Sequence, residues 1–123
     1  MKGRILLVDD ELDLVKLVRK RLETEGFEVS VALTGKEALA RAPVEQPDAI
    51  VLDIMLPEMS GLEVCAKLKN DERAKRIPVI IYTGKGRQGD EALCRELGAD
   101  GYVPKSAGTG ALIQHISSLL PKR

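Results

Sequence analysis

Five polar residues end or follow short apolar runs of the sequence, and their types suit one kind of chemistry. They are Asp9, Asp10, Asp53, Thr83 and Lys105. Carboxylates without histidine or cysteine partners are hard oxygen ligands, which favour magnesium or calcium over zinc, and an open site with few carboxylates favours magnesium. A lysine ammonium group and a threonine hydroxyl could hold further oxygens of a phosphoryl group. The set predicts phosphoryl transfer to Asp53, which needs mainly positioning and charge neutralisation.

Asp53 closes the most informative stretch of the chain. The four apolar residues 49–52 run without interruption into its carboxylate, and a loop with Pro57 and Gly61 follows. A continuous run rich in isoleucine and valine is typical of a strand that is buried on both faces. Because a buried unpaired carboxylate would be costly, we expect Asp53 to emerge at the rim of a sheet.

The other elements that must position these residues follow from the same patterns. Amphipathic segments predict helices that begin near residues 10, 34, 60, 90 and 111, between runs that predict strands over 4–8, 27–31, 49–52, 78–83 and 100–105. Strict alternation of five strands with five helices predicts a parallel sheet with helices on both faces. In such sheets the chemistry lies beyond the carboxyl ends of the strands. We therefore expect the five candidate residues to meet on one rim.

Local signals mark the starts and ends of two helices. Thr34 and Ser60 are each followed three residues later by a glutamate, which predicts two capping boxes. Pro43 and Pro47 are expected to limit the helix that begins at Thr34, because proline lacks a backbone N–H.

Composition narrows the class of protein. A chain of 123 residues predicts one domain, and its nineteen basic and nineteen acidic side chains cancel. Nucleic-acid modules usually carry a basic excess on one face, so we expect a protein partner and no direct nucleic-acid binding. No apolar run approaches the ~20 residues of a membrane span, and residues 1–4 lead into a strand-like run rather than a signal peptide. We expect no membrane binding and a cytoplasmic location.

Three residues with reactive side chains have ordinary interpretations. Cys65 and Cys94 fall in predicted helices without the spacing of metal ligands, so buried or half-buried free thiols are expected. His115 is the only histidine, so it cannot build a histidine metal cluster, and we expect it at the surface or its boundary.

The motifs as a set resemble the receiver domain of two-component response regulators, and the likeness is closest to chemotaxis regulators. It extends over nearly the whole chain. The residues that carry it are Val8–Glu11, Pro47–Ile54, Leu56–Leu62, Pro78–Ile80, Thr83, Gly98–Asp100, Tyr102 and Lys105. The resemblance implies one receiver domain over residues 1–123 without an effector domain, and a flavodoxin-like α/β fold. That fold is a doubly wound five-stranded parallel sheet of strand order 2-1-3-4-5 in a three-layer α/β/α sandwich.

The resemblance also implies the role of each site residue. Asp53 would accept a phosphoryl group from a sensor histidine kinase or a histidine phosphotransfer protein. Asp9, Asp10, Asp53 and the backbone carbonyl of Met55 would hold Mg²⁺.

The same resemblance implies how the signal leaves the site. Thr83 and Lys105 would contact the phosphoryl oxygens, and Thr83 with Tyr102 would form a switch. The switch would change the surface of the fourth helix, fifth strand and fifth helix, which binds a downstream protein target. Such a protein is a phosphorelay signalling module, not an enzyme beyond its own phosphorylation and dephosphorylation, and it is a monomer or a phosphorylation-dependent dimer.

The chain departs from the family pattern on one side of the predicted site. Receivers usually place proline after the lysine, in a cis bond, but here Lys105 precedes Ser106 and follows Pro104. A cis bond without proline costs about 2.5–4 kcal/mol, so we expect a trans Lys105–Ser106 bond and a shifted loop. Pro104 is tolerable if the fifth strand is at an edge. Gly84 replaces the usual small side chain after Thr83, which predicts a looser loop and faster dephosphorylation.

Three alternative functions stay open. The segment Gly84–Gly89 matches a dinucleotide-binding pattern, but the acid expected about 20 positions on is replaced by Lys105. An aspartyl phosphatase would need an Asp-x-Asp pattern after the first strand, where this chain has Asp9-Asp10-Glu11. A pseudo-receiver that binds partners without phosphorylation is the third alternative, because of Ser106.

Overall fold

A computed structural model describes residues 2–84 and 89–120, so most of the Gly84–Gly89 motif lies outside the described residues. Within these ranges five strands alternate with five helices, as predicted. The strands are β1 Gly3–Val8, β2 Phe27–Ala32, β3 Ala49–Leu52, β4 Val79–Thr83 and β5 Gly101–Pro104. The helices are α1 Leu12–Thr24, α2 Gly35–Glu45, α3 Gly61–Lys69, α4 Asp90–Glu96 and α5 Gly108–Leu119, with a 3₁₀ turn over Lys105–Ala107.

The strands form one parallel sheet in the order β2-β1-β3-β4-β5, which confirms the predicted topology. The strand β3 lies at the centre, and its four residues are all buried, as its continuous apolar run predicts. The strands β2 and β5 form the two edges. The alternating pattern of β2 and the proline in β5 both suit an edge position.

Two hydrophobic cores lie on the two faces of the sheet, so the three-layer arrangement is also confirmed. On one face, Leu6 and Val8 of β1 pack with residues of α2 and α3. On the other face, Ile5 and Leu7 of the same strand pack with residues of α1 and α5. Full burial of one such side chain contributes about 1.5–3 kcal/mol. The two cores hold the strand ends in place, and with them the site residues.

The predicted capping boxes form in different degrees. The Thr34 side chain accepts a hydrogen bond from Glu37 N at 3.1 Å, and the Glu37 side chain accepts one from Leu33 N at 2.7 Å. The Ser60 side chain accepts a hydrogen bond from Leu62 N at 3.1 Å. Glu63 instead pairs with Lys67 at 3.6 Å, one helical turn further on. The first turn of α3 is therefore capped from the serine side.

The helix α2 contains Pro43 but ends at Glu45, two residues later and before Pro47, so the two prolines limit its length as expected. A proline removes one hydrogen bond from a helix. Here Pro43 cannot donate to the Leu39 carbonyl, and the helix ends soon after it, since Gln46 already has a left-handed backbone with φ of 48°. The Gln46 side chain donates to the Pro43 carbonyl at 2.9 Å and closes the helix end.

The cysteines have the predicted environment, since Cys65 and Cys94 are buried free thiols. His115 is exposed on α5, as expected. Among the described helices, none is both long enough and apolar enough to cross a membrane.

Candidate functional site

The five candidate residues lie together at the carboxyl ends of four neighbouring strands. Val8 pairs in register with Leu52, so Asp9 and Asp53 follow side by side. Thr83 ends β4 and pairs with Pro104, which places Lys105 just beyond the end of β5. The parallel topology therefore brings together residues that are up to 96 positions apart in the chain.

Asp53 is at the centre of this group and is only 3% exposed. The Thr83 hydroxyl donates a hydrogen bond to Asp53 Oδ1 at 2.9 Å, and Lys105 Nζ donates to Asp53 Oδ2 at 3.0 Å. The Met55 N–H adds a longer hydrogen bond to Oδ1 at 3.3 Å. Each oxygen of the buried carboxylate therefore has a hydrogen-bond donor.

Lys105 binds three carboxylates at once. Its ammonium nitrogen lies 2.9 Å from Asp9 Oδ2, 3.0 Å from Asp53 Oδ2 and 3.2 Å from Glu11 Oε1. Burial lowers the pKa of Lys105, but the hydrogen bonds with Asp9 and Asp53 outweigh it, so the pKa is raised overall. The side chain is charged at neutral pH and supplies a fixed positive charge beside Asp53.

The peptide bond after Lys105 is trans, which confirms the expectation from Ser106. Lys105, Ser106 and Ala107 form the 3₁₀ turn that leads into α5. The lysine reaches the site even with this altered connection.

Three carboxylates form a candidate metal site on the same rim. One oxygen each of Asp9, Asp10 and Asp53 lies within 4.8 Å of the other two. Asp9 and Asp53 are buried, whereas Asp10 is exposed to solvent. The pKa of Asp9 is raised, chiefly by burial, against the lowering effect of the Glu11 N–H and of Lys105. The donors are all carboxylate oxygens, a set that fits Mg²⁺.

The loop after β3 holds Met55 beside Asp53 through the N–H contact, while the Met55 side chain is 72% exposed. Gly61 anchors the other end of this loop, since its N–H donates to the Ile54 carbonyl at 2.8 Å. A Cβ atom on Gly61 would lie 2.0 Å from the Asp53 backbone oxygen. Only glycine fits this position, because the approach leaves no room for a methyl group.

Thr83 and Tyr102 lie on the face of the sheet that α3 and α4 cover. Thr83 is 1% exposed, and Tyr102 is partly buried against the core of that face. The pKa of Tyr102 is raised, first by burial and then by the nearby Asp90, Cys94 and Glu91. In the sheet Tyr102 pairs with Ile81, which is two residues before Thr83 on the same strand.

Two contacts in this region were not predicted from the sequence. Glu11 is among the residues that carry the family resemblance, but no contact was predicted for it, and it binds Lys105. Its position directly after Asp9 and Asp10 was the signal that could have placed it on the rim. The close approach of Gly61 to Asp53 left no local signal apart from the glycine itself.

The motif Gly98–Asp100 has a structural role at the opposite end of the sheet. Asp100 Oδ2 accepts hydrogen bonds from Lys69 Nζ and from Val79 N, both at 2.8 Å. Lys69 Nζ also donates to the Ile77 carbonyl at 2.9 Å. These contacts tie the end of α3 to the starts of β4 and β5, away from the candidate site.

Known proteins are similar to this chain both in sequence and in fold. The response regulator receiver domain model matches residues 5–117. The polar-differentiation response regulator DivK of Brucella ovis is 40% identical over 119 residues, which cover 97% of this chain and 96% of DivK. The alkaline phosphatase synthesis transcriptional regulatory protein PhoP of Bacillus subtilis is 44% identical over 105 residues. That match covers 85% of this chain but 43% of PhoP, so the chain spans less than half of that regulator.

A solved structure with the same fold is the receiver domain of the sensor histidine kinase PA1611 from Pseudomonas aeruginosa. It superposes with a TM-score of 0.88 at 26% identity, over 97% of this chain and 98% of that one. That structure has a magnesium ion coordinated in its active site cleft. The family model matches most of the chain, and the strand order and the three carboxylates at the sheet edge agree with it. This chain therefore belongs to the response regulator receiver domains of two-component systems.

Proposed function

We propose that this receiver accepts a phosphoryl group on Asp53 in a magnesium-dependent reaction and passes the signal on through a changed surface. The observation that carries the proposal is the pair of contacts to the two Asp53 oxygens, from Thr83 at 2.9 Å and from Lys105 at 3.0 Å. A carboxylate between a hydroxyl and an ammonium group has donors ready for the oxygens of an incoming phosphoryl group. Phosphoryl transfer depends mainly on such positioning and charge neutralisation.

The transfer forms one bond and breaks one bond. One oxygen of Asp53 bonds to phosphorus while the bond from phosphorus to the donor nitrogen of a phosphohistidine breaks. Lys105 remains charged, because Asp9 and Asp53 hold its pKa above the usual range, and it binds the negatively charged phosphoryl oxygens. Thr83 gives up its hydrogen bond to the carboxylate and donates to the phosphoryl group instead.

Asp9, Asp10 and Asp53 would hold Mg²⁺, with the Met55 carbonyl as a further ligand from the loop beside them. When bound, the ion offsets the negative charge of carboxylates and phosphate. The family supports this assignment, since receiver domains typically bind Mg²⁺. The buried carboxylates also need such compensation, because the Lys105 charge is shared among three acids.

The switch proposal follows from the shared face of Thr83 and Tyr102. The phosphoryl group on Asp53 carries a charge of about −2 in place of the single charge of the carboxylate, and it draws the Thr83 hydroxyl towards it. The space that Thr83 leaves lets Tyr102 turn inward, away from the first turn of α4. The surface of α4, β5 and α5 changes as a result, and a downstream protein recognises it.

The wider setting is part of the same proposal. Receiver domains work with histidine kinases and downstream effectors. We assign this chain a sensor histidine kinase or histidine phosphotransfer protein as donor, and a protein target in the cytoplasm. Residues 1–123 would act as one receiver domain, as a monomer or as a dimer formed on phosphorylation.

The proposal is tested with magnesium and acetyl phosphate as a small phosphoryl donor. The wild type should gain a phosphoryl adduct that hydroxylamine removes, and Asp53→Asn should gain none. The adduct should also depend on magnesium, because chelation leaves the carboxylates uncompensated.

The other outcomes identify the alternatives. Continuous hydrolysis of unrelated phosphate esters would favour the phosphatase. A folded protein that forms no adduct would favour a pseudo-receiver.

A further inference from the structure

The Lys105 side chain has to cross a neighbouring strand to reach the site. Lys105 follows the edge strand β5, whereas its partners Asp53 and Asp9 follow β3 and β1. Neighbouring strands are about 4.7–4.9 Å apart. Because β4 lies between β5 and β3, the lysine stem must pass over the carboxyl end of β4. What covers that strand end decides how firmly the ammonium group is held.

The residue at this crossing point is Tyr82. Tyr82 pairs in register with Val103, and both belong to the core on the α1 and α5 face. Side chains alternate along a strand, and Pro104 keeps an extended backbone with φ of −70° and ψ of 141°. Lys105 therefore starts on the same face as Val103. Asp53 is the next residue after the pair formed by Leu52 and Ile81, so Tyr82 lies beside Asp53.

Apart from the ion pairs of its ammonium group with Asp9, Glu11 and Asp53, few features of the described residues restrain this lysine. Gly84, two residues after Tyr82, has no atom of the described residues within 4 Å of the position that a Cβ would take. The 3₁₀ turn that contains Lys105 has no side-chain cap. The start of α5 contains Gly108 and Gly110, and both positions are equally open. The backbone after Lys105 therefore does little to fix its side chain.

Tyr82 is well placed to do so. It is 3% exposed, so its ring is held by the core. In the sheet Tyr82 lies between Asp53 at the end of β3 and Val103 on β5, on the face from which Lys105 starts, so its ring is beside the path of the lysine stem. The pKa of Tyr82 is raised chiefly by burial, with opposing smaller effects of Lys105 and Asp9.

We propose that Tyr82 is a positioning residue whose buried ring supports the Lys105 stem over β4 and fixes the ammonium group between Asp9 and Asp53. Its effect on phosphoryl transfer rests on the function proposed above. Its effect on the lysine does not, and can be measured without a phosphoryl donor.

The first measurement is the rate at which an amine-acylating reagent modifies Lys105, followed by peptide mass spectrometry. Lys69 is the internal reference, since its side chain is 15% exposed against 14% for Lys105 and it is also paired with an aspartate. Three variants are compared: Tyr82→Val, Tyr82→Phe and Ile80→Ala. Ile80 is fully buried on the same face of the same strand and is two residues from Tyr82.

We expect Tyr82→Val to raise the labelling of Lys105 relative to Lys69 by about fivefold or more, because the lysine populates unpaired positions. Tyr82→Phe keeps the ring and should stay within about twofold of the wild type. Ile80→Ala should leave the ratio unchanged, although it removes part of the same core. A wild-type ratio in Tyr82→Val would overturn the proposal. An equal rise in Ile80→Ala would show general loosening, and an equal rise in Tyr82→Phe would exclude the ring as the support.

The second measurement is phosphoryl uptake from acetyl phosphate with magnesium. Tyr82→Val should slow it roughly tenfold, because small misplacements of a charged group are costly to the rate. Tyr82→Phe should restore most of the rate. If the wild type takes up no phosphoryl group, the proposed function fails, and the labelling ratio still decides the role of Tyr82. Wild-type uptake in Tyr82→Val would overturn the positioning role.

Discussion

Gly61→Ala is a small substitution that should disturb both the fold and the site. The new Cβ would lie 2.0 Å from the Asp53 backbone oxygen, 2.8 Å from the Asp53 carbonyl carbon and 2.8 Å from Ile54 Cα. Contacts of this kind need about 3.5 Å. All three neighbours are backbone atoms, which cannot rotate away as a side chain could.

The size of the effect follows from the movement that is needed. The shortest contact is 2.0 Å, well below the van der Waals distance of about 3.5 Å. The loop and the end of β3 would therefore have to separate by more than about 1 Å to relieve it. Overpacking of this kind typically costs about 1–3 kcal/mol of stability. Asp53 carries the affected carbonyl, so its carboxylate should shift as well. A misplacement of about 1 Å can lower a rate by about 10²-fold.

The assay combines urea unfolding with the rate of phosphoryl uptake from acetyl phosphate. Gly110→Ala is the matched control, since no atom lies within 4 Å of its Cβ position and the residue is in α5. Alanine in a helix is favoured over glycine by about 0.5–1 kcal/mol, so this control should be neutral or stabilising. Gly61→Ala with wild-type stability and wild-type uptake would refute the reasoning.

Three further predictions concern other parts of the molecule. Gly84→Ala should lengthen the phosphoryl lifetime by about two- to fivefold, because alanine allows fewer backbone conformations than glycine and its methyl group meets no atom of the described residues within 4 Å; an unchanged or shorter lifetime would count against a loose loop. Lys69→Met should lower the free energy of unfolding by about 1–3 kcal/mol, since Asp100 and the Ile77 carbonyl lose their donor, and Lys67→Met, at an exposed pair, should change it little. Burial raises the pKa of Cys65 from 9.0 to about 11, so the folded state keeps the proton that the unfolded state loses. The stabilisation from the protonated Cys65 thiol is therefore complete below pH 9, and between pH 9 and about pH 11 it declines by about 1.4 kcal/mol per pH unit. The free energy of unfolding, measured with urea, should therefore fall more steeply with pH in the wild type than in Cys65→Ala. Parallel pH profiles of the two proteins would contradict this prediction.

The grouping of the site residues at one edge of the sheet could be predicted, because the end of a strand is marked in the sequence by the end of an apolar run. The apolar runs that end at Asp9 and Asp53 locate two strand ends, and parallel topology makes them neighbours. Lys105 was also placed correctly at the rim, although the chain has Ser106 where a proline is usual. A lysine side chain is long enough to accommodate a changed backbone after it.

The details that sequence patterns missed depend on distances between elements. Nothing local to Gly61 shows that the Asp53 carbonyl approaches it, and nothing local to Glu11 shows that Lys105 arrives from 94 residues away. The sequence also did not show that α2 would include Pro43 and end only at Glu45, where the Gln46 side chain donates to the Pro43 carbonyl. Contacts across the fold, rather than propensities, decided these cases.

The central claim is that Asp53 becomes the phosphoryl carrier, and borohydride reduction tests it most directly. Borohydride reduces an acyl phosphate but not a free carboxylate, so the modified aspartate becomes homoserine and can be located by peptide mass spectrometry. After incubation with magnesium and acetyl phosphate, we expect homoserine in place of Asp53 alone, and none when magnesium is chelated. Homoserine at Asp9 or Asp10, or at no position in a folded protein, would contradict the account.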